Sequence, residues 1–178
     1  SRIGDLMKSG RSKGEIFGET AKSYIYQIAA EREMNPAIIE DDDLFELYLE
    51  QTGFTSKAIR CGNEQEANAR ELYINKTGRN VVEVGLIKHP TINYFGSSPD
   101  GFYYDDGDKG TLEVKCPGQN TFLRYKDCIK DNQTLLTTKP EYFYQCMAHM
   151  MCSGANWVDF MAYCPFQKKP DHIVRIFK

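Results

Sequence analysis

At 178 residues the chain can fold as one domain with a real apolar core, and 41% hydrophobic against 26% charged residues is the balance of an ordinary soluble globular protein. Its apolar runs, such as Val84-Gly85-Leu86-Ile87, fall far short of the roughly 20 residues a membrane span needs, and no signal-peptide pattern opens the sequence, so a cytosolic protein is expected. The net charge of −3 neither supports nor excludes nucleic acid: much of the acidic excess is local, at Glu40-Asp41-Asp42-Asp43 and Asp105-Asp106-Gly107-Asp108, and metal-binding carboxylates count as negative until a cation neutralises them.

The first half reads as helical. Ser1 can cap a short helix carrying Ile3, Leu6 and Met7. Ile16, Phe17, Ala21, Tyr24, Ile25 and Ile28 recur at helical spacing until Asn35-Pro36, where proline disfavours helix in the residue before it. Leu44, Phe45, Leu47 and Tyr48 predict a short helix over 42–50, and a longer one is expected over 55–75, stopped by Gly78. After Arg79 the pattern changes. The β-branched run Val81 to Ile87 predicts a strand, Ile92 to Phe95 a second. Gly101–Tyr104 and Thr111–Lys115 flank a turn-rich link suited to a hairpin. Helical signals return over 121–129 and 139–152, and two last strands are expected over 157–163 and 172–177. This order predicts an α/β (α+β) fold, a mixed sheet flanked by helices, in one domain over 1–178 with N-terminal helices over 1–78 and the sheet and its helices over 79–178. Six scattered cysteines without a CxxC pair read as reduced, mostly buried thiols.

The chemistry concentrates in three places. Glu113-Val114-Lys115 on a strand projects Glu113 and Lys115 to one face; the carboxylate can hold a hard divalent cation, and the ammonium can orient an attacking water or offset charge on a phosphate. Alone, Glu-x-Lys is more often a solvated face. Ser97-Ser98-Pro99-Asp100-Gly101 is a turn by composition, yet it sets Asp100 at the start of a strand whose hairpin partner carries Glu113. The combination Pro-Asp … Glu-x-Lys is far more specific than either half. Gly62, Glu66, Ala69 and Tyr73 share a helix face, and the two small residues would let that face approach the sheet and bring Glu66 to the metal; an exposed glutamate is the plainer alternative. On the helix over 139–152, Phe143, Met147 and Met150 form a core face, with Tyr142, Gln145, His149 and Cys152 opposite. Gln145 is either a hydrogen-bonding group near the metal or a surface amide. Cys146, His149 and Cys152 supply at most three ligands to a zinc ion, short of the usual structural four, so core packing is expected there.

Gly62-x-x-x-Glu66-x-x-Ala69-Arg70, Ser98-Pro99-Asp100-Gly101, Leu112-Glu113-Val114-Lys115-Cys116-Pro117, Tyr142-x-x-Gln145 and Tyr163-x-Pro165 stand in one order across nearly the whole chain. In them the sequence resembles the phage lambda exonuclease family, the YqaJ-type viral recombinases of the PD-(D/E)xK nuclease superfamily. The resemblance implies a restriction-endonuclease-like core and Mg2+-dependent 5′ to 3′ degradation of linear duplex DNA, with Mn2+ as a substitute. It implies metal ligation by Asp100, Glu113 and Glu66, a catalytic role for Lys115, and Gln145 near the reacting phosphate. It further implies phage or prophage recombination in the cytoplasm of a bacterial host, with DNA ends as substrate, a single-strand annealing protein as partner and a homotrimeric ring as one assembly. Ser1 corresponds to the family's serine that grips the 5′-phosphate. The arginine that accompanies it would precede the first residue, so the sequence is expected to be a trimmed form of a longer chain.

The mechanism expected is two-metal phosphodiester hydrolysis. Arg124, Lys126 and Lys130, with Lys8, Arg11 and Lys13, are candidates to grip the DNA backbone; solubility is the alternative. Two other functions compete: an endonuclease of restriction or repair type, which shares the constellation, and a non-catalytic DNA-binding recombination module. Iron–sulfur relatives are disfavoured because the cysteines do not cluster.

Overall fold

The computed structural model describes residues 14–52 and 57–178. They fall into two compact units, one ending at Cys61 and one running from Gly62 to Lys178. The expected helix at Ser1 lies outside the described residues.

In the first unit α1 (Glu19–Arg32), α2 (Ala37–Glu40) and α3 (Asp42–Thr52) follow one another. Ile16 and Phe17 precede α1 and are exposed, so the apolar spacing runs further towards the N-terminus than the helix does. α3 starts where Asp41 Oδ1 accepts from the N–H groups of Asp43 and Leu44, both at 3.1 Å, which satisfies two donors the helix itself cannot pair. α2 is one turn and carries no periodic apolar signal. α4 (Lys57–Thr77) spans the unit boundary and stops at Gly78, whose φ of 70° is a left-handed C-terminal cap.

Residues 81–86, expected as a strand, form no ladder. Only Val82 pairs, exchanging two backbone hydrogen bonds of 2.9 Å with Phe102, while Val81 turns into the core and Leu86 stays exposed. β-branched residues favour a pleated half-buried surface, and without a partner strand that preference orders nothing. Instead β1 (Ile87–Lys88) pairs with β2 (Gly96–Ser97). Residues 92–95 are the loop between them, not a strand: His89 Nδ1 accepts from the N–H groups of Thr91 and Ile92 at 3.3 and 3.2 Å, and Phe95 N–H donates to Ile92 O at 3.1 Å.

The main sheet has the order β3 (Gly101–Asp105), β4 (Asp108–Lys115), β5 (Trp157–Tyr163), β6 (Asp171–Phe177). β3 and β4 are antiparallel, β4 and β5 parallel, β5 and β6 antiparallel. The link expected between β3 and β4 tightens to Asp106-Gly107, both at positive φ, the two-residue turn whose twist matches a hairpin. The parallel pair requires a crossover, supplied by α5 (Gln119–Cys128), α6 (Asn132–Thr138) and α7 (Pro140–Ser153). α6, unforeseen from the sequence, begins with a capping box between Asp131 and Thr134.

All seven residues of β5 are buried, and their alternation divides two cores. Val158, Phe160 and Ala162 pack with Phe122, Tyr125, Leu135, Cys146 and Met150 of the crossover helices; Trp157, Met161 and Tyr163 pack with Ala69 and Tyr73 of α4. The expected mixed sheet flanked by helices is present. The face towards α4 also buries Asp159, which accepts from Tyr73 Oη at 2.5 Å, Tyr103 Oη at 2.6 Å and Arg175 Nε at 2.8 Å. Burial raises its carboxyl, yet the bonds from Arg175, Tyr103 and Tyr73 outweigh that and hold it below the usual range.

Candidate active site

β4 ends in Glu113-Val114-Lys115. Val114 enters the core with α4, so Glu113 and Lys115 face the crossover helices. Glu113 is fully buried, and Lys115 Nζ makes a close ion pair with its Oε1. The neighbouring strand brings Asp100 alongside: the register pairs Gly101 with Leu112, Asp100 N–H donates to Leu112 O at 3.0 Å, and Asp100 Oδ2 accepts from Val114 N–H at 2.7 Å. Glycine at 101 is required by packing, since a Cβ there would stand 2.4 Å from Val81 Cγ1. From α4, Arg70 Nη1 donates to Asp100 O at 2.8 Å, and Ala69, fully buried, lets the helix sit close to the sheet. Glu66, one turn before Arg70, is within electrostatic reach of Glu113 and Lys115.

Glu113 is thus paired with Lys115 beside Asp100, with Glu66 within electrostatic reach, and the protonation behaviour of the group follows. Burial pushes Asp100 up, nearby Glu113 pushes it further, and it reaches about 7. Glu66 is raised, by burial and by Glu113 against the pull of Arg70. Burial alone would raise Glu113, but Lys115 and His149 together lower it, so it is ionised. Lys115 is pulled down by burial and held up more strongly by Glu113 and Asp100, so its amine remains an ammonium. It lies 5.3 Å from the Tyr142 ring centroid, a cation–π contact on its other flank.

The residues opposite the Phe143 face of α7 behave differently from a surface. His149 is 1% exposed, and its Nε2 donates to Glu113 Oε2 at 2.7 Å while Nδ1 meets Ser97 Oγ. Sequence reasoning gave this histidine to core packing; its place one turn after Gln145, on a helix apolar on most sides, was the available signal. Gln145 is half-buried, and its Oε1 is buried without a hydrogen-bond partner among the described residues. Cys146 and Cys152 are buried, and burial raises the Cys146 thiol well above its ordinary value, so it is no thiolate. Cys146, His149 and Cys152 are thus all buried, the environment that core packing expects. Among the described residues, no three His, Cys, Asp or Glu side chains clasp a metal site as they stand: Glu113 has one oxygen on Lys115 and the other on His149. The donor chemistry nonetheless suits a hard divalent cation: the carboxylates of Glu113 and Asp100, Glu66 within electrostatic reach, and the unpartnered Gln145 Oε1 on α7. Of the remaining candidates, Arg124 is exposed on α5, Lys126 is half-buried and Lys130 is exposed just beyond the helix. Ser1, Lys8, Arg11 and Lys13 lie outside the described residues.

The chain matches over 99% of its length, at 30% identity and a TM-score of 0.69, the crystal structure of an alkaline exonuclease (LHK-Exo) from Laribacter hongkongensis, covering 75% of that protein. The same exonuclease in complex with dAMP gives a TM-score of 0.70 at the same identity and coverage. A phage related exonuclease from Haemophilus somnus 129PT shares the fold, with a TM-score of 0.63 over 99% of this chain and 82% of that one, at 13% identity. A search among curated proteins returns no match. Residues 19–156, which include every motif residue from Glu66 to Gln145, match the family described as the YqaJ-like viral recombinase domain. The chain belongs to the YqaJ-like viral recombinase family.

Proposed function

We propose that the chain is a divalent-metal-dependent deoxyribonuclease that degrades linear duplex DNA from its ends, 5′ to 3′, by hydrolysing phosphodiesters in the two-metal manner. The observation that carries the proposal is the corner formed by Asp100, Glu113 and Lys115, with Glu66 in reach. Holding the fully buried Glu113 and the half-buried Asp100 and Glu66 near one ammonium is costly, and a bound cation would relieve that cost. Similarity to an exonuclease solved with dAMP, a mononucleotide, supports DNA ends as substrate.

Asp100 and Glu113 would hold Mg2+, or Mn2+ in its place, with Glu66 completing the ligand set. Bound there, the metal would act as a Lewis acid on the scissile phosphate and lower the pKa of a water. For Glu113 to serve as a ligand, the Lys115 ammonium must give up Oε1, the oxygen it now occupies. Released from Glu113, Lys115 faces the attacking water and the phosphate oxygens. There it would orient the water and offset the negative charge that grows on the phosphate. The water oxygen bonds to phosphorus as one of its protons passes to solvent, the bond from phosphorus to the 3′ oxygen breaks, that oxygen takes up a proton from solvent, and a nucleotide carrying its own 5′-phosphate and a new 3′-hydroxyl leaves. Gln145 Oε1, buried and unsatisfied, is placed to accept a hydrogen bond from a bound water. Arg124 and Lys126 grip the DNA backbone, and Ser1 the 5′-phosphate. A place in phage-type recombination inside a bacterial host, beside a single-strand annealing protein and with a trimeric ring as the assembly, belongs to the same proposal through the family.

Linear duplexes with 5′-phosphate or 5′-hydroxyl ends and a covalently closed circle separate the alternatives. With Mg2+ the linear substrates should be degraded and the circle spared, and chelation should stop the reaction. Cleavage of the circle would favour an endonuclease; inertness towards all three substrates would favour a non-catalytic module.

A further inference from the structure

We propose that His149 is a positioning residue: fixed by Ser97, it locks Glu113 so that a single oxygen, Oε1, is presented to the cation. The inference rests on the metal-dependent reading above. Three elements meet at one carboxylate, with Glu113 on β4, His149 on α7 and Ser97 on β2, and all three residues are buried. A carboxylate only accepts, so the 2.7 Å contact between His149 Nε2 and Glu113 Oε2 requires the hydrogen on Nε2. Nδ1 is taken by Ser97 Oγ. Both ring nitrogens are therefore committed, which removes His149 as a metal ligand and prevents the ring from turning without breaking a buried bond.

The two oxygens of Glu113 are consequently unequal. Oε2 is sealed behind the imidazole, whereas Oε1 faces Lys115, whose side chain is 24% exposed and can move. Only Oε1 can exchange an ammonium for a cation. Hydrogen-bond partners of ligating carboxylates orient them in this way. A histidine that merely filled volume would be indifferent to which atom donates to Glu113, and that difference can be measured.

The experiment is a calorimetric titration of Mn2+ into the full chain and into the variants His149→Gln, His149→Asn and Ser97→Ala, with thermal unfolding of each as the check on folding. The terminal amide of glutamine reaches the level of Nε2 and can still donate to Glu113; that of asparagine ends near the level of Nδ1 and cannot. His149→Gln should bind Mn2+ close to the parent, His149→Asn about 10–100-fold more weakly, and Ser97→Ala about fivefold more weakly. A folded His149→Asn with parental affinity, or a His149→Gln as weak as His149→Asn, overturns the proposal. If His149→Asn does not fold, Ser97→Ala decides, and unchanged affinity there overturns it as well. A parent chain that binds no Mn2+ sinks the metal reading itself and this proposal with it, whereas parental binding with an indifferent His149→Asn sinks the role of His149 alone.

Discussion

Asp100→Asn should make the metal-free protein more stable. The folded chain holds the Asp100 proton more tightly than the unfolded chain does, about 7 against an ordinary 3.8. A carboxyl raised in this direction withdraws stability as pH climbs through that window and leaves the loss complete above it. The gap corresponds to ~4 kcal/mol at ~1.4 kcal/mol per pH unit, and solvent reaching the half-buried side chain trims this to roughly 2 kcal/mol. Asparagine keeps an oxygen able to accept from Val114 N–H, so the bond of 2.7 Å that fixes the hairpin edge survives. For a chain of this length ~2–4 °C per kcal/mol applies, which puts the variant roughly 4–8 °C above the parent. The assay is thermal unfolding by circular dichroism in chelator at pH 8 and pH 5. The variant should melt higher at pH 8, with the difference shrinking by pH 5, where the parent's Asp100 carries its own proton. Added Mn2+ should then raise the parent and leave the variant unmoved. A variant that melts with or below the parent at pH 8 in chelator would refute the reasoning, because the corner would then hold no unrelieved charge.

Lys115→Ala should lower cleavage by at least about 10²-fold while tightening Mn2+ binding, since Glu113 Oε1 loses its competing ammonium; calorimetry and a nuclease assay read the two effects in opposite directions, and full cleavage would end the proposed role. At subsaturating Mg2+, cleavage by the parent should rise with pH through about 7, because Asp100 must lose its proton before it can bind the metal, and a rate flat from pH 5.5 to 8.5 under that condition would contradict the assignment. Asp159→Ala should destabilise the fold by about 3–5 kcal/mol, measured by urea unfolding, because it strands two tyrosine hydroxyls and leaves Arg175 without its buried partner.

Where sequence patterns and structure agree, local chemistry and tertiary context point the same way. β5 is legible because every residue from Trp157 to Tyr163 is apolar, aromatic or, at Asp159, held by bonds that its neighbours supply. The hairpin carrying Asp100 and Glu113 is legible because Asp106-Gly107 can adopt the positive φ values its turn needs. Residues 81–86 mislead because β-propensity says nothing about the availability of a partner, and here Phe102 offers a single bridge. α6 escapes notice because its stability lies in a cap, Asp131 with Thr134, more than in an apolar stripe.

The acidic residues of the site were readable for a related reason. Pro-Asp and Glu-x-Lys lie on adjacent strands whose register is set by the turn between them, so their approach follows from local geometry. His149 and Ser97 are 52 residues apart on elements that meet only in the folded chain, so the sequence places His149 in core packing, on the helix face away from Phe143, without naming a partner for it. Core packing by itself predicts apolar neighbours. α7 has core packing on one side and a buried carboxylate on the other, so the polarity of its second face matches Glu113 rather than solvent. A polar residue on a helix too apolar elsewhere to lie at a surface is therefore a pointer to a buried charge, and here that charge is the carboxylate from which the proposed chemistry starts.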